Sequence, residues 1–258
     1  MNIINFITFL VIVIGSGALF VVLSAFAGLI SFSLQFTNTF DPDIKAIPAY
    51  GKFFALSPEE AQKLSDLDGV ANYAKEIEER VFLSYQEKNH IAYIKGIDQN
   101  YRTVTGLDST LYYGNWGVDD SQVVVGIGTA NLLGLTLNNR RPLNVITLKP
   151  GEGSLTADAL RSKSFYNELP MVVSGVFAVE ENLDKKYLFA QLPIVQAFLE
   201  KDSLQVSGLN FKVLPDANQE SAKAAIAKVL GDKVLVLDRA QLNGTLHRML
   251  ITENLATY

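Results

Sequence analysis

The first forty residues contain no Asp, Glu, Lys or Arg, and the first charged side chain is Asp41. Residues 3–34 form one apolar run. A helix crossing the ~30 Å hydrocarbon layer needs about 20 apolar residues, so this run spans a membrane with length to spare. A cleaved secretory signal is the competing reading, with a small-x-small site at Ala25-Phe26-Ala27. Such a signal carries a basic n-region and an apolar core of about 7–15 residues, and the sequence departs from both criteria. A retained membrane helix and stem over residues 1–40 is therefore the expectation. Lys and Arg flanking a span set its orientation. The downstream side opens on Asp41-Pro42-Asp43 and holds only Lys45 before residue 51, which favours a body outside the cytoplasm.

That body carries all 22 basic and 27 acidic side chains, for a net charge of −5. An evenly mixed, mildly acidic surface lacks the basic patch that nucleic acid requires. The chain has no Cys, which removes disulfides, thiolate nucleophiles and zinc–thiolate sites together.

Local signals predict an α+β fold. Residues 44–56 read as extended chain. Ser57, Pro58 and Glu60 mark a helix start with a capping box, and Gly69 follows its end. Residues 71–98 read as two strands about a polar turn at 86–90. The pattern recurs late in the chain: a strand at 208–214, a helix capped by Asp216 or Asn218 and stopped by Gly231, and a strand at 233–238. Two such α/β units pair naturally into one split sheet with helices on one face. The expected organisation is one α/β lobe from 41–100 and 206–238, with an inserted, mainly β second lobe at 101–205. A stem helix at 239–258 follows, with Leu242, Leu246, Met249 and Leu250 on one stripe. Residues 150–170 read as a long loop, of a length that is uncommon without function or disorder.

Catalytic patterns were sought along the whole sequence. Gly126-x-Gly128-x-x-Asn131 opens a helix after a β-run, like a dinucleotide fingerprint. Its third small residue is Asn, and the stretch that follows at 138–150 supplies no acidic residue. A tight strand-to-helix turn is the better reading. His90, in the expected turn, and His247 have no metal-ligating neighbours in sequence. The acid pairs Glu78-Glu79, Asp119-Asp120 and Glu180-Glu181 read as turn or surface residues. No metal, cofactor or catalytic residue is predicted, and the informative features are mechanical.

Three stretches carry a resemblance: the small-residue helix with Gly28; Lys95-Gly96-Ile97-Asp98 at a strand end; and Gly175-Val176-Phe177 with Asp184-x-x-Tyr187 and the 239–258 segment. In order and spacing they are similar to the permease subunits of MacB/FtsX-type ABC transporters, most closely the lipoprotein-releasing LolC/LolE family. The resemblance implies an inner-membrane permease with a periplasmic domain, and a non-enzymatic role in which ATPase activity belongs to a separate cytoplasmic subunit. It also implies a second permease subunit as partner, a lipoprotein cargo and a periplasmic carrier. Gly15, Gly17, Ala18, Ala25 and Gly28 become candidate cargo-contacting positions. Pro150, Gly151, Glu152 and Gly153 become a candidate docking loop. Family members carry a basic segment before the first helix and three further spans, so a fragment of a longer permease is expected. MacB-like export and FtsX-like regulation of cell-wall hydrolases share the same expected fold. An anchored or secreted binding protein is the alternative of another class.

Overall fold

A computed structural model describes residues 3–37, 41–117, 121–137, 141–149, 165–239 and 241–242. The chain divides into two units, residues 1–39 and 40–258. The first is a single helix, α1 (Ile3–Thr37), without acidic residues in its first turn or basic ones in its last. Its segment Phe6–Ala25 has a mean hydropathy of 2.8 and is wholly exposed. A helix apolar all round is stable only where lipid or other helices cover it.

In the second unit the chain runs through β1 (Ile44–Pro48), β2 (Phe54–Ala55), α2 (Pro58–Ser65), β3 (Val70–Tyr85), β4 (Lys88–Ile97), α3 (Tyr101–Thr105) and β5 (Leu111–Gly114). It continues through β6 (Gln122–Gly126), α4 (Ile127–Leu133), β7 (Leu143–Leu148), β8 (Tyr166–Phe177), α5 (Glu181–Lys186) and β9 (Tyr187–Gln191). It closes with α6 (Leu192–Phe198), β10 (Gln205–Val206), β11 (Gly208–Val213), α7 (Gln219–Leu230) and β12 (Val234–Asp238).

The long strand β3 organises everything else. Its first half pairs with β11, which pairs with β1, which pairs with β12. This is the split sheet expected from the two α/β units. Its helices α2 and α7 bury Leu64, Ala222, Ile226 and Leu230 against Ile44, Ala46, Leu209 and Phe211. The local signals hold. Ser57 and Glu60 form the capping box of α2, and Asn218 caps α7 with Gly231 at its end.

The second half of β3 belongs to another closure. It pairs with β4 and β7; β4 pairs with β9, β9 with β6, β6 with β8, and β8 with β7. Six strands thus close into a ring. Side chains from all six fill its interior, among them Ile77, Ile94, Val125, Val145, Met171 and Leu188, together with Val195 and Phe198 of α6. The strands of 101–205 therefore complete a ring whose other two members, β3 and β4, come from earlier in the chain.

Two local expectations are corrected. The turn between β3 and β4 is only Gln86-Glu87, with Gln86 at φ 55°. Lys88, Asn89 and His90 pair with Tyr85, Ser84 and Leu83 as the start of β4, because the ladder satisfies their backbone groups. Residues 166–170 are strand too, paired with β7; the rest of the expected loop, residues 150–164, lies outside the described residues.

Candidate functional site

On a strand, alternate side chains share a face. From β3, one face sends Ile77, Val81 and Leu83 into the ring, and the other presents Ala74, Glu76, Glu78, Arg80 and Phe82. Glu76 is 1 % exposed. Such a carboxylate persists only with compensating partners, since burying a lone charge costs several kcal/mol. The register supplies them. Glu76 faces Gly208 of β11 and Ile97 of β4, where a glycine leaves room for neighbouring side chains. Lys45 of β1 reaches Glu76 Oε1 at 2.5 Å, and Lys95 of β4 stands 3.5 Å from Oε2 and 3.0 Å from Glu78. Asn210 of β11 donates its side-chain amide to Oε2 at 3.0 Å. Four strands therefore meet in one charged joint.

Burial by itself would raise the Glu76 pKa. The two ammonium groups and the Asn210 amide outweigh it and hold the carboxyl far below its ordinary range. Burial likewise works against the Lys95 ammonium, but Glu76 and Glu78 outweigh it, so Lys95 stays charged well above its ordinary range. The Tyr101 phenol of α3 covers the joint and is pushed well up by burial. With these groups locked in opposite charge states the joint is a structural key, and it offers no group poised to exchange a proton near neutrality.

A second constellation lies where the chain enters and leaves the sheet. Arg239 follows β12, and its guanidinium donates to the Asp41 carbonyl and to Asp43 Oδ1, both at 3.1 Å. Asp43 is further fixed: its N–H donates to the Phe211 carbonyl at 3.1 Å, and its carboxylate accepts the Val213 N–H at 2.9 Å. Burial raises the Asp41 pKa, against the pull of Lys45, Lys95 and Arg239. The residues that follow the 1–40 segment and those that open the 239–258 segment are thus clasped together.

The motifs singled out in the sequence each acquire a physical role. In Lys95-Gly96-Ile97-Asp98, Lys95 belongs to the joint. A Cβ at Gly96 would stand 2.7 Å from both Ile77 Cγ2 and Val195 Cβ, so glycine lets α6 approach the sheet. Ile97 is buried. Asp98 accepts the Lys75 N–H at 2.8 Å and the N–H groups of Asn100 and Tyr101 at 3.1 and 3.0 Å, which turns the chain into α3. Asp184 in turn accepts the Val179 N–H at 2.9 Å. Gly126 is a close-approach glycine: a Cβ there would lie 2.1 Å from the Asp184 carbonyl oxygen. This accounts for the Gly126/Gly128 pattern without a nucleotide.

The remaining candidates fall out as follows. Spacing on α1 puts Gly17, Ala18, Ala25 and Gly28 within an arc of about 100°, with Gly15 beside it; Gly15 and Gly17 have open space where a Cβ would stand. Pro150, Gly151, Glu152, Gly153, Asp119-Asp120, His247 and residues 243–258 lie outside the described residues. His90 is tied down, its Nε2 2.6 Å from the Lys185 carbonyl. Glu78 and Glu79 are strand residues paired with Lys95 and Lys52, and neither belongs to a turn. Among the described residues no group of His, Cys, Asp and Glu is arranged to hold a metal ion. Sequence reasoning missed Glu76 and Lys45. Lys45 stands between the buried Ile44 and Ala46 of β1 and Glu76 beside the buried Ile77 of β3, but only register reveals that they meet.

Comparison with known proteins agrees with this architecture. The periplasmic region of MacB from Actinobacillus actinomycetemcomitans aligns over 79 % of this chain and 92 % of its own length, at 17 % identity and a TM-score of 0.54. The extracellular domain of the noncanonic ABC-type transporter YknZ from Gram-positive bacteria aligns over 76 % and 99 %, at 15 % identity and a TM-score of 0.51. At these identities the likeness is one of fold. No curated protein sequence matches the chain. The family described as MacB-like periplasmic core domain matches residues 5–229. With that match over most of its length, the chain belongs to the MacB-like periplasmic core domain family of ABC-type permeases.

Proposed function

We propose that this chain works as a mechanical relay of an inner-membrane permease: α1 is embedded in lipid, and the body moves with the membrane helices when an ATPase subunit on the cytoplasmic side binds ATP. The observation that carries the reading is the Arg239 clasp on Asp41 and Asp43, next to the charged joint of Glu76. A displacement arriving through either connecting segment enters the same four hydrogen-bonded strands, and β3 continues from them into the ring. Stiff, hydrogen-bonded elements transmit displacement better than flexible linkers do. The cargo we favour is a lipid-anchored protein, contacted by the small-residue arc of Gly17, Ala18, Ala25 and Gly28 with Gly15, and handed to a periplasmic carrier with the help of Pro150, Gly151, Glu152 and Gly153. A second permease subunit completes the pathway.

The test is an insertion of Gly-Gly between Arg239 and Leu242 in the complete permease, reconstituted with its ATPase. ATP hydrolysis should persist while lipoprotein release into solution falls to background. Unchanged release would defeat the relay. The family match also supports MacB-like export with the same relay. In that case the insertion abolishes export, and lipoprotein release is absent even from the unaltered permease.

A further inference from the structure

The same β3 face that is buried at Glu76 emerges to solvent at its far end. There Phe82 lies opposite Ile91 of β4 and opposite Ile146 of β7, in one row across three strands. Phe82 is 41 % exposed, Ile91 51 %, and Leu148, two residues beyond Ile146, 57 %. Single exposed apolar residues need no explanation. A contiguous row on the outside of a charged domain does. Arg80 borders the row, and its charge is left over: Glu78 is committed to Lys95 and Glu79 to Lys52. Arg80 also lines a groove of about 520 Å³, as do the paired Lys52 and Glu79 and also Lys201, which stands over the Phe53 ring at 5.1 Å. Among the described residues neither Arg80 nor Lys201 pairs with a carboxylate. A chain of net charge −5 thus sets two cations without carboxylate partners near an apolar row, against one exposed glutamate, Glu168, opposite Ile146.

We infer that this face docks an extended acidic segment of a partner protein, with its carboxylates at Arg80 and Lys201 and its apolar side chains on Phe82, Ile91 and Ile146. Charge complementarity selects the acidic partner, and the open, mainly apolar hollow of about 580 Å³ lined by Phe82, Ile91, Ile146 and Leu148, with Arg80 at its edge, takes the partner's apolar side chains. About 30 Å of strand, nine residues of β3 from Tyr73 to Phe82 at roughly 3.3 Å each, separates the row from the Phe211–Asp43 pairing. The inference rests on the permease reading only for the compartment in which the partner is met.

The test uses the full chain in neutral phosphatidylcholine nanodiscs, panned against a random dodecapeptide display library. Enriched sequences should combine Asp or Glu with apolar residues. Synthetic versions should bind about tenfold more weakly to Arg80→Glu and to Phe82→Ser, and more weakly as salt rises from roughly 50 to 500 mM. Both positions are exposed, and unchanged melting confirms folding; Arg80→Gln is the substitute if Arg80→Glu melts early. The inference is overturned by failure to enrich, by enriched sequences that are basic or indifferent to both substitutions, by binding of phosphatidylglycerol vesicles in place of peptides, or by self-association that Phe82→Ser removes in place of peptide binding. Binding is read without ATP or transport, so its failure leaves the relay untouched, and failure of the relay leaves binding untouched.

Discussion

The ring interior and the joint at Glu76 lie on opposite faces of one strand, yet they are held by opposite physics. The ring is filled by aliphatic side chains such as Ile77, Ile94, Val125 and Leu188. Its stability is a sum over methylenes, and it tolerates small changes gradually. The joint is a set of buried charges that must all be present together. It adds little net stability compared with an apolar equivalent, but removing one member strands the others. The difference teaches which part of the body can drift and which keeps its register. The strands nearest the clasp of Arg239 are keyed by charge. The ring beyond them is held by volume.

The largest effect should come from Glu76→Gln. It preserves shape but leaves Lys45 without its carboxylate and Lys95 with Glu78 alone, at a cost of about 3–5 kcal/mol in urea denaturation of the detergent-solubilised chain. A loss below about 1 kcal/mol would make the joint no different from a surface pair. The same substitution tests pH. Because the folded Glu76 pKa is depressed below its ordinary 4.5, its contribution is fully present above that value and is lost as pH falls towards the folded pKa. Asp41 runs the other way: its folded pKa is raised above 3.8, so its contribution is complete below that value and is lost as pH rises through the folded pKa. Melting temperature followed from pH 7 down to pH 3 should fall below about pH 4.5 in the parent, and less steeply in Glu76→Gln.

Gly96→Ala probes the seam between the two regions. The added methyl meets Ile77 and Val195 at 2.7 Å, and overpacking of this kind costs about 1–3 kcal/mol. If the ring yields more readily than the joint, α6 moves outward and the Lys45–Glu76 pair survives, which the Lys95 and Glu76 side-chain resonances would report. Ser57→Ala should cost about 1 kcal/mol through the α2 cap; the capping box is also tied to Lys233, 2.6 Å from Glu60, and thermal melting would register a clear shift. The smallest effect belongs to the ring: Ile94→Val should cost only about 0.5–1.5 kcal/mol. A larger loss than that of Glu76→Gln would reverse the contrast.

Much of the architecture was readable from local chemistry. The capping box at Ser57 and Glu60, the Asn218 cap, the Gly231 stop and the strand-to-helix turn at Gly126 each depend on residues a few positions apart, so the sequence states them directly. The turn at 86–90 and the last five residues of the 150–170 loop differ from expectation because strand pairing overrides polar composition. Lys88, Asn89 and His90 look like turn residues until Tyr85, Ser84 and Leu83 take up their backbone groups.

The sequence by itself determined the apolar, uncharged helix of the first unit, the α/β alternation of the second and the exclusion of cysteine chemistry, because composition and short-range periodicity are enough for each. Only the tertiary structure decided that β3 serves two closures at once, that Lys45, Glu76, Lys95 and Asn210 converge, and that Arg239 clasps Asp41 and Asp43. Those facts depend on which strands pair and in what register, across separations from 19 residues for Glu76 and Lys95 to 198 for Asp41 and Arg239. Shifting the pairing by one residue would turn every one of these side chains to the opposite face.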